Sequence, residues 1–242
     1  MKSKTKKIII IVLLAIIILI AILFIGGRIY LKNVEFPRPP KVDTGKRRIA
    51  CIGDSVTYGA GVLGKRGTST YPVYLQGLVG DDWQVLNYGL TGRTLMNSAD
   101  VPYMKEEMYP ETLACEADVY LVMLGTNDAK HYNWNAENYE KDLKVLLENY
   151  IEIAGIDGVY AMKPLKCFVV EGKTEVGHNI KNENVIEACE IIECVAKELQ
   201  VNVIDLYTFS EDHPEWLPDG IHPNAEGNRE IADYIYEHLD LD

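Results

Sequence analysis

This 242-residue sequence predicts an α/β fold in three layers: a five-stranded parallel sheet between two layers of helices, with one membrane-spanning helix ahead of it. Three observations carry that prediction. Residues 8–25 are 18 consecutive apolar residues without a charge or a proline. What remains after residue 48 is long enough for one α/β domain with a full core and too short for two large ones. Within it, five short apolar or β-branched runs recur, most of them separated by helical patterns, and strands that alternate with helices pair in parallel and are covered on both faces.

The elements follow in order. Lys2, Lys4, Lys6 and Lys7 make residues 1–7 a basic flank. Residues 8–27, the apolar run continued through Gly26 and Gly27, suffice to span a bilayer core at about 1.5 Å per residue, which predicts an uncleaved signal anchor. A cleaved signal peptide is the rival reading, but its apolar region ordinarily runs ~7–15 residues, and no small-x-small cleavage site stands out. Arg28, Lys32, Arg38 and Lys41 balance the N-terminal lysines, so charge by itself does not orient the span. Residues 28–47 read as a semi-rigid stalk because Pro37, Pro39 and Pro40 stand in a stretch poor in apolar side chains. Residues 48–242 form the expected globular domain.

Its strands are expected at Arg48–Gly53, Trp83–Tyr88, Val119–Leu124, Gly158–Met162 and Val201–Leu206. The clearest helix runs from Ala136 to Ile153, where Tyr139, Leu143, Leu146, Leu147 and Tyr150 repeat at three- and four-residue spacing. Others are expected over Val185–Leu199 and Ala225–Leu239, the last with Ile231, Ala232, Ile235 and Leu239 on one stripe. In open sheets of this kind the ligand lies beyond the carboxyl ends of the strands. Four short blocks fall there: Gly53-Asp54-Ser55 after strand one, Asn87 to Gly92 after strand two, Gly125-Thr126-Asn127-Asp128 after strand three, and Asp219-x-x-His222 between strand five and the last helix.

In identity, order and spacing these blocks resemble those of the SGNH/GDSL serine hydrolases, over nearly everything after residue 47. The resemblance implies the flavodoxin-like fold of that family and a serine esterase working through an acyl-serine intermediate. A serine hydroxyl needs a base within hydrogen-bond reach, normally a histidine held in one tautomer by a carboxylate. Ser55, His222 and Asp219 would fill those roles. The developing oxyanion needs fixed donors. By resemblance these are the backbone N–H of Ser55, the backbone N–H of Gly92 and the side-chain amide of Asn127, with Gly89 as a turn residue. Asp54 and Asp128 are expected to buttress their loops without acting in catalysis.

Each block also has an ordinary structural reading. Gly53-Asp54-Ser55 alone suits a turn and a helix N-cap, and Gly125 to Asp128 alone suits a strand-to-loop turn. The conjunction of all four, each after its own strand or in the final loop, is what argues for a site. Gly59-Ala60-Gly61-Val62-Leu63-Gly64-Lys65 matches both G-x-G-x-x-G and most of G-x-x-x-x-G-K, yet Ser55–Tyr58 separate it from the strand, Lys65–Thr70 read as turn-rich, and Arg66 stands where a phosphate loop needs Ser or Thr. No nucleotide is expected. Nor is a metal or other cofactor, because His131, His178, His213 and His238 lack ligand spacing.

Lys163–Glu183 is a longer connection than packing requires, which makes it the expected specificity determinant, with His178 and Asn179 as substrate contacts. Trp134, shortly after the third block, is a further candidate contact, although core packing explains an aromatic there equally well. Five cysteines (Cys51, Cys115, Cys167, Cys189 and Cys194) without a C-x-x-C pair signal no disulfide framework, while a disulfide from Cys167 stays open if the domain is outside the cell. Residues 1–48 hold 11 Lys and Arg against 2 Asp and Glu, leaving 13 against 34 for the rest, so the domain is strongly acidic. Such a surface repels nucleic acid, and it also serves solubility. The expected partners are a small-molecule or glycan ester and, through the N-terminal helix, the membrane. The expected location is the cell membrane, single-pass, with the catalytic domain extracytoplasmic. Among relatives the blocks look most like those of bacterial esterases that remove O-acetyl groups from carbohydrate. The alternatives are a lysophospholipase- or thioesterase-type lipid deacylase, or a catalytically silent glycan-binding protein with the same fold.

Overall fold

A computed structural model describes residues 2–241, with side chains for residues 13–29 and 31–241. Met1, Asp242 and the side chains of residues 2–12, which include the expected basic flank and the start of the expected span, lie outside what is described. The chain divides into two units, Met1–Arg38 and Pro39–Asp242.

The first unit is one helix, α1 (Lys2–Glu35). Among the described residues its large apolar side chains from Leu13 to Ile25 are roughly half to two-thirds exposed, and the span Leu13–Glu35 is long and apolar enough to cross a membrane. The helix does not stop where the stalk was expected to begin. Arg28–Glu35 continue it, because no proline occurs before Pro37 and residues such as Leu31 and Lys32 favour helix.

The second unit is built on strands β1 (Arg47–Gly53), β2 (Trp83–Gly89), β3 (Val119–Met123), β4 (Val159–Lys163) and β5 (Asn202–Asp205). They form one parallel sheet in the order β2-β1-β3-β4-β5. The central strand is apolar without interruption because both its faces are covered. Ala50 and Ile52 point into one core with Tyr120 and Val122, closed by the helices α6 (Ala136–Ala154) and α7 (Asn182–Leu199). Ile49 and Cys51 point into the other with Leu121 and Met123, closed by α4 (Tyr71–Val79) and α9 (Ala225–Glu237). This alternation is the two-residue period of a strand, used on both sides.

Five helices and two helix boundaries depart from the sequence reading. Helix α4 and helix α5 (Met108–Ala114) were not expected, since Pro72 and Gly77 in one and Pro110 in the other blur the pattern, although proline in a first turn costs little. Three short helices, α2 (Ser55–Tyr58), α3 (Arg66–Ser69) and α8 (Leu206–Ser210), occupy stretches too brief to show periodicity. Lys65–Thr70 is therefore largely helical, not turn-rich. Helix α7 starts three residues before Val185, and α9 stops two before Leu239. The carboxyl ends of β1, β2 and β3 sit in register side by side, with Gly53 paired to Gly89 and Met123, so whatever follows each strand meets the others at one edge.

Candidate active site

Gly53 ends β1, and a methyl group there would stand 2.1 Å from Thr57 Oγ1 and 2.8 Å from Met123 O, so the chain turns upward only with glycine at this point. Asp54 then caps α2, its Oδ1 accepting from Val56 N–H at 2.9 Å. Ser55 opens that helix and Gly59 closes it in the left-handed conformation, at φ 93°. The cap reading of this block and the nucleophile reading thus hold together. Gly89, expected as a turn residue, instead ends β2 pressed against α2, where a Cβ would lie 2.2 Å from Tyr58 N. Close approach, not a turn, requires that glycine.

The loop before α9 supplies the other pair. Asp219 Oδ1 accepts from the N–H groups of Ile221 at 3.0 Å and His222 at 2.7 Å, which folds the loop onto the carboxylate. Its Oδ2 lies 2.7 Å from His222 Nδ1, and His222 Nε2 lies 2.9 Å from Ser55 Oγ. Partial burial opposes ionisation of Asp219, but the hydrogen bonds from the His222 ring and backbone, the neighbouring imidazole charge and the Ile221 N–H outweigh it and hold the carboxyl well below the usual carboxylate range. Residues 167 positions apart become a continuous hydrogen-bonded relay.

Asn127 is buried, and its Nδ2 donates to Asp54 Oδ2 at 3.2 Å and to the backbone oxygen of Arg93 at 3.1 Å. Gly92 adopts φ 77°, with open space where a side chain would stand. Ser55, Gly92, Asn127 and His222 share a cavity of about 200 Å³, walled also by Ala60, His178, Ile180 and Ile221. A groove of about 1070 Å³ lies at the opposite ends of the strands, lined by charged residues such as Arg48, Asp118, Glu152 and Asp157. It is larger, but it holds no nucleophile beside a base.

Two carboxylates support the floor. Burial pushes Asp54 up to about 6, against the hydrogen bonds it accepts, the Val56 N–H foremost, and the nearby His222 charge. Burial likewise pushes Asp128 up to about 7, although it accepts from Leu95 N–H at 2.9 Å and Met96 N–H at 2.8 Å. Both tie one strand-end loop to another, which is the buttressing expected of them.

The three candidate substrate contacts separate. His178 lines the cavity, held at φ 58°, with its ring edge-on to His222 at 6.3 Å. Asn179 is not among the lining residues, and its carbonyl accepts from His131 N–H at 3.2 Å. Trp134 is not among them either. Its indole N–H donates to Glu187 at 2.7 Å and its ring packs on Tyr139, which draws it between α6 and α7, the core packing that the sequence equally allowed.

Residues that sequence reasoning passed over include Asn228, buried, which accepts from Tyr71 N–H at 2.8 Å and donates to Pro223 O at 2.8 Å, tethering the His222 loop. Gly61 is another. A Cβ there would stand 2.3 Å from Pro223 O, so this glycine of the stretch that mimics a phosphate loop is required by the passage of the histidine loop. The signal for both was present only as an Asn in an amphipathic helix and a Gly in a decoy. Among the described residues all five cysteines are free, with Cys194 alone exposed, and no group of three or more His, Cys, Asp or Glu could hold a metal.

Comparison with known proteins agrees with this architecture. The model of the GDSL-like lipase/acylhydrolase family matches residues 51–230. An acetylxylan esterase of Xylanibacter ruminicola is 33% identical over 223 residues, covering 85% of this chain and 45% of its own length. The chain thus spans less than half the length of that relative. A carbohydrate acetylesterase from Sinorhizobium meliloti superposes with a TM-score of 0.62 at 21% identity, over 79% of this chain and 97% of its own. A lipase/acylhydrolase from Enterococcus faecalis does so with a TM-score of 0.58 at 21% identity, over 79% and 94%. At such identities the two structures speak for the fold.

Proposed function

The chain belongs to the GDSL-like lipase/acylhydrolase family, and on that premise we propose that it is a serine esterase that removes acetyl groups from carbohydrate through an acyl-serine intermediate. The observation that carries the reading is the relay from Asp219 through His222 to Ser55, with contacts of 2.7 and 2.9 Å. In the proposed reaction Ser55 Oγ attacks the acyl carbon as its proton passes to His222 Nε2. The imidazolium, stabilised by the Asp219 carboxylate, returns that proton to the departing sugar oxygen, and water activated by the same histidine then releases acetate. The backbone N–H groups of Ser55 and Gly92 and the Asn127 amide receive the oxyanion. The Asn127 amide donates to Asp54 and to the neutral carbonyl of Arg93, and an anionic acyl oxygen forms the stronger hydrogen bond, so it takes the amide proton from that carbonyl.

The substrate class is supported by the names of the acetylxylan and carbohydrate acetylesterase relatives and by the modest cavity of about 200 Å³ beside Ser55. Residues 8–27 are proposed to anchor the chain in the membrane, leaving residues 48–242 as the catalytic domain on the extracytoplasmic side. The exposed apolar side chains of α1 support the anchor. The test is hydrolysis of p-nitrophenyl acetate, butyrate and octanoate, and release of acetate from acetylated xylan, by the full chain in detergent micelles beside its Ser55→Ala variant. Acetyl turnover that disappears in the variant is the expected result. A preference for octanoate would replace carbohydrate by lipid, and no turnover from a folded protein would leave a binding role.

A further inference from the structure

We propose that Arg93 is a positioning residue for the oxyanion hole, its guanidinium holding the Thr91–Gly92 peptide so that the Gly92 N–H donates to the acyl oxygen; the proposal rests on the esterase reading above. Arg93 is 4% exposed and carries a charge into the interior beside the cavity. A buried cation must be paired and hydrogen-bonded. Its Nε donates to Glu106 Oε1 at 3.1 Å, and Glu106 is itself fixed by its N–H on Tyr103 O at 3.0 Å. Its Nη1 donates to Thr91 O at 2.7 Å, and its own carbonyl accepts from Asn127 Nδ2 at 3.1 Å.

The grip on Thr91 O matters because of what shares its plane. A peptide unit is rigid, with C=O and N–H pointing in opposite directions, so whatever fixes the Thr91 carbonyl also aims the Gly92 N–H. Leu90–Arg93 is a turn closed by Arg93 N–H on Leu90 O at 3.5 Å, with Gly92 at φ 77° and Thr91 outside the positive-φ region, which is the type II pattern. Type I differs by a flip of this one central peptide, and glycine accepts either form. The closing bond is long, so the guanidinium is the stronger restraint. In the flipped form the Gly92 N–H would point away from the cavity.

The alternative is that Arg93 and Glu106 are only a buried ion pair. The full chain in detergent micelles separates the two, with p-nitrophenyl acetate as substrate and Arg93→Ala and Arg93→Lys as variants. Loss of one oxyanion donor lowers kcat by about 10²–10³. Arg93→Ala is expected to fall in that range with little change in KM, as for an interaction made only in the transition state. Arg93→Lys keeps a cation for Glu106 but lacks the two-pronged fork, so it is expected to fold and still lose on the order of tenfold in kcat. Added methylguanidinium should restore part of the Ala variant's kcat, and affinity for a boronic acid, whose tetrahedral serine adduct mimics the oxyanion, should fall in step with kcat. Should Arg93→Ala fail to fold, Arg93→Lys decides. A folded Lys variant with wild-type kcat and wild-type boronate affinity would overturn the proposal. A wild-type protein inert to every ester would instead sink the esterase reading itself.

Discussion

At the scale of residues, the relay divides its work by environment. Asp219 is held ionised by the hydrogen bonds it accepts, and its side chain is 55% exposed, so it adds little to stability but orients the imidazole. Asp219→Asn is expected to lower kcat by roughly 10⁴-fold while leaving the melting temperature nearly unchanged, because the amide favours the wrong histidine tautomer. Steady-state kinetics and a thermal melt on the same preparation check both halves. Asp128 behaves in the opposite way. Its folded carboxyl is pushed up to about 7, above the ~3.9 of an unfolded aspartate, so between those values the folded state holds a proton that the unfolded state has released. The stability it contributes is therefore complete below pH ~4 and is lost as pH rises toward 7. Thermal midpoints from pH 4.5 to 7.5 should decline less steeply in Asp128→Asn than in the wild type. An unchanged slope would show that Asp128 ionises freely in the fold.

At the scale of elements, the site depends on loops that touch. Gly61→Ala would bring a methyl group to 2.3 Å from Pro223 O and 3.1 Å from the His222 carbonyl carbon, both backbone atoms that cannot rotate away. Displacement of about 1 Å in a catalytic group can cost ~10²-fold, so kcat is expected to fall at least tenfold, with the fluorophosphonate labelling rate of Ser55 falling alongside. Labelling at the wild-type rate would mean that the loop absorbs the methyl group elsewhere. The elements legible in the sequence were those with long, uniform patterns: the five apolar strands, and α6 with its stripe from Tyr139 to Tyr150. Helices α4 and α5 were hidden because nine- and seven-residue helices with proline in their first turns show barely two turns of periodicity. Gly61 and Asn228 were hidden for another reason: their partners are Pro223 and Tyr71, and a contact of 157 positions, as from Asn228 to Tyr71, leaves no local trace.

At the scale of the whole molecule, the chain is an apolar helix and a self-contained α/β unit. The unit from Pro39 onward owns both hydrophobic cores, which predicts that removal of residues 1–38 leaves a folded, cooperatively melting protein that needs no detergent. Circular dichroism and sedimentation of that fragment check this, and an aggregated or unfolded fragment would mean that α1 contributes to the fold. The fold class, the apolar N-terminal segment and the blocks around Ser55, Asn127 and His222 were determined by the sequence alone, because strand hydrophobicity, chain length and short-range turn chemistry are local properties. Which residues become neighbours was decided by the tertiary structure. Trp134 turned to Glu187 and away from the cavity, Gly89 proved to be a contact glycine, and the Arg93 guanidinium came to hold the Thr91 carbonyl. Those outcomes depend on how parallel strands register at their carboxyl ends and on which side chains find hydrogen-bond partners in a packed interior, and no stretch of sequence contains that information by itself.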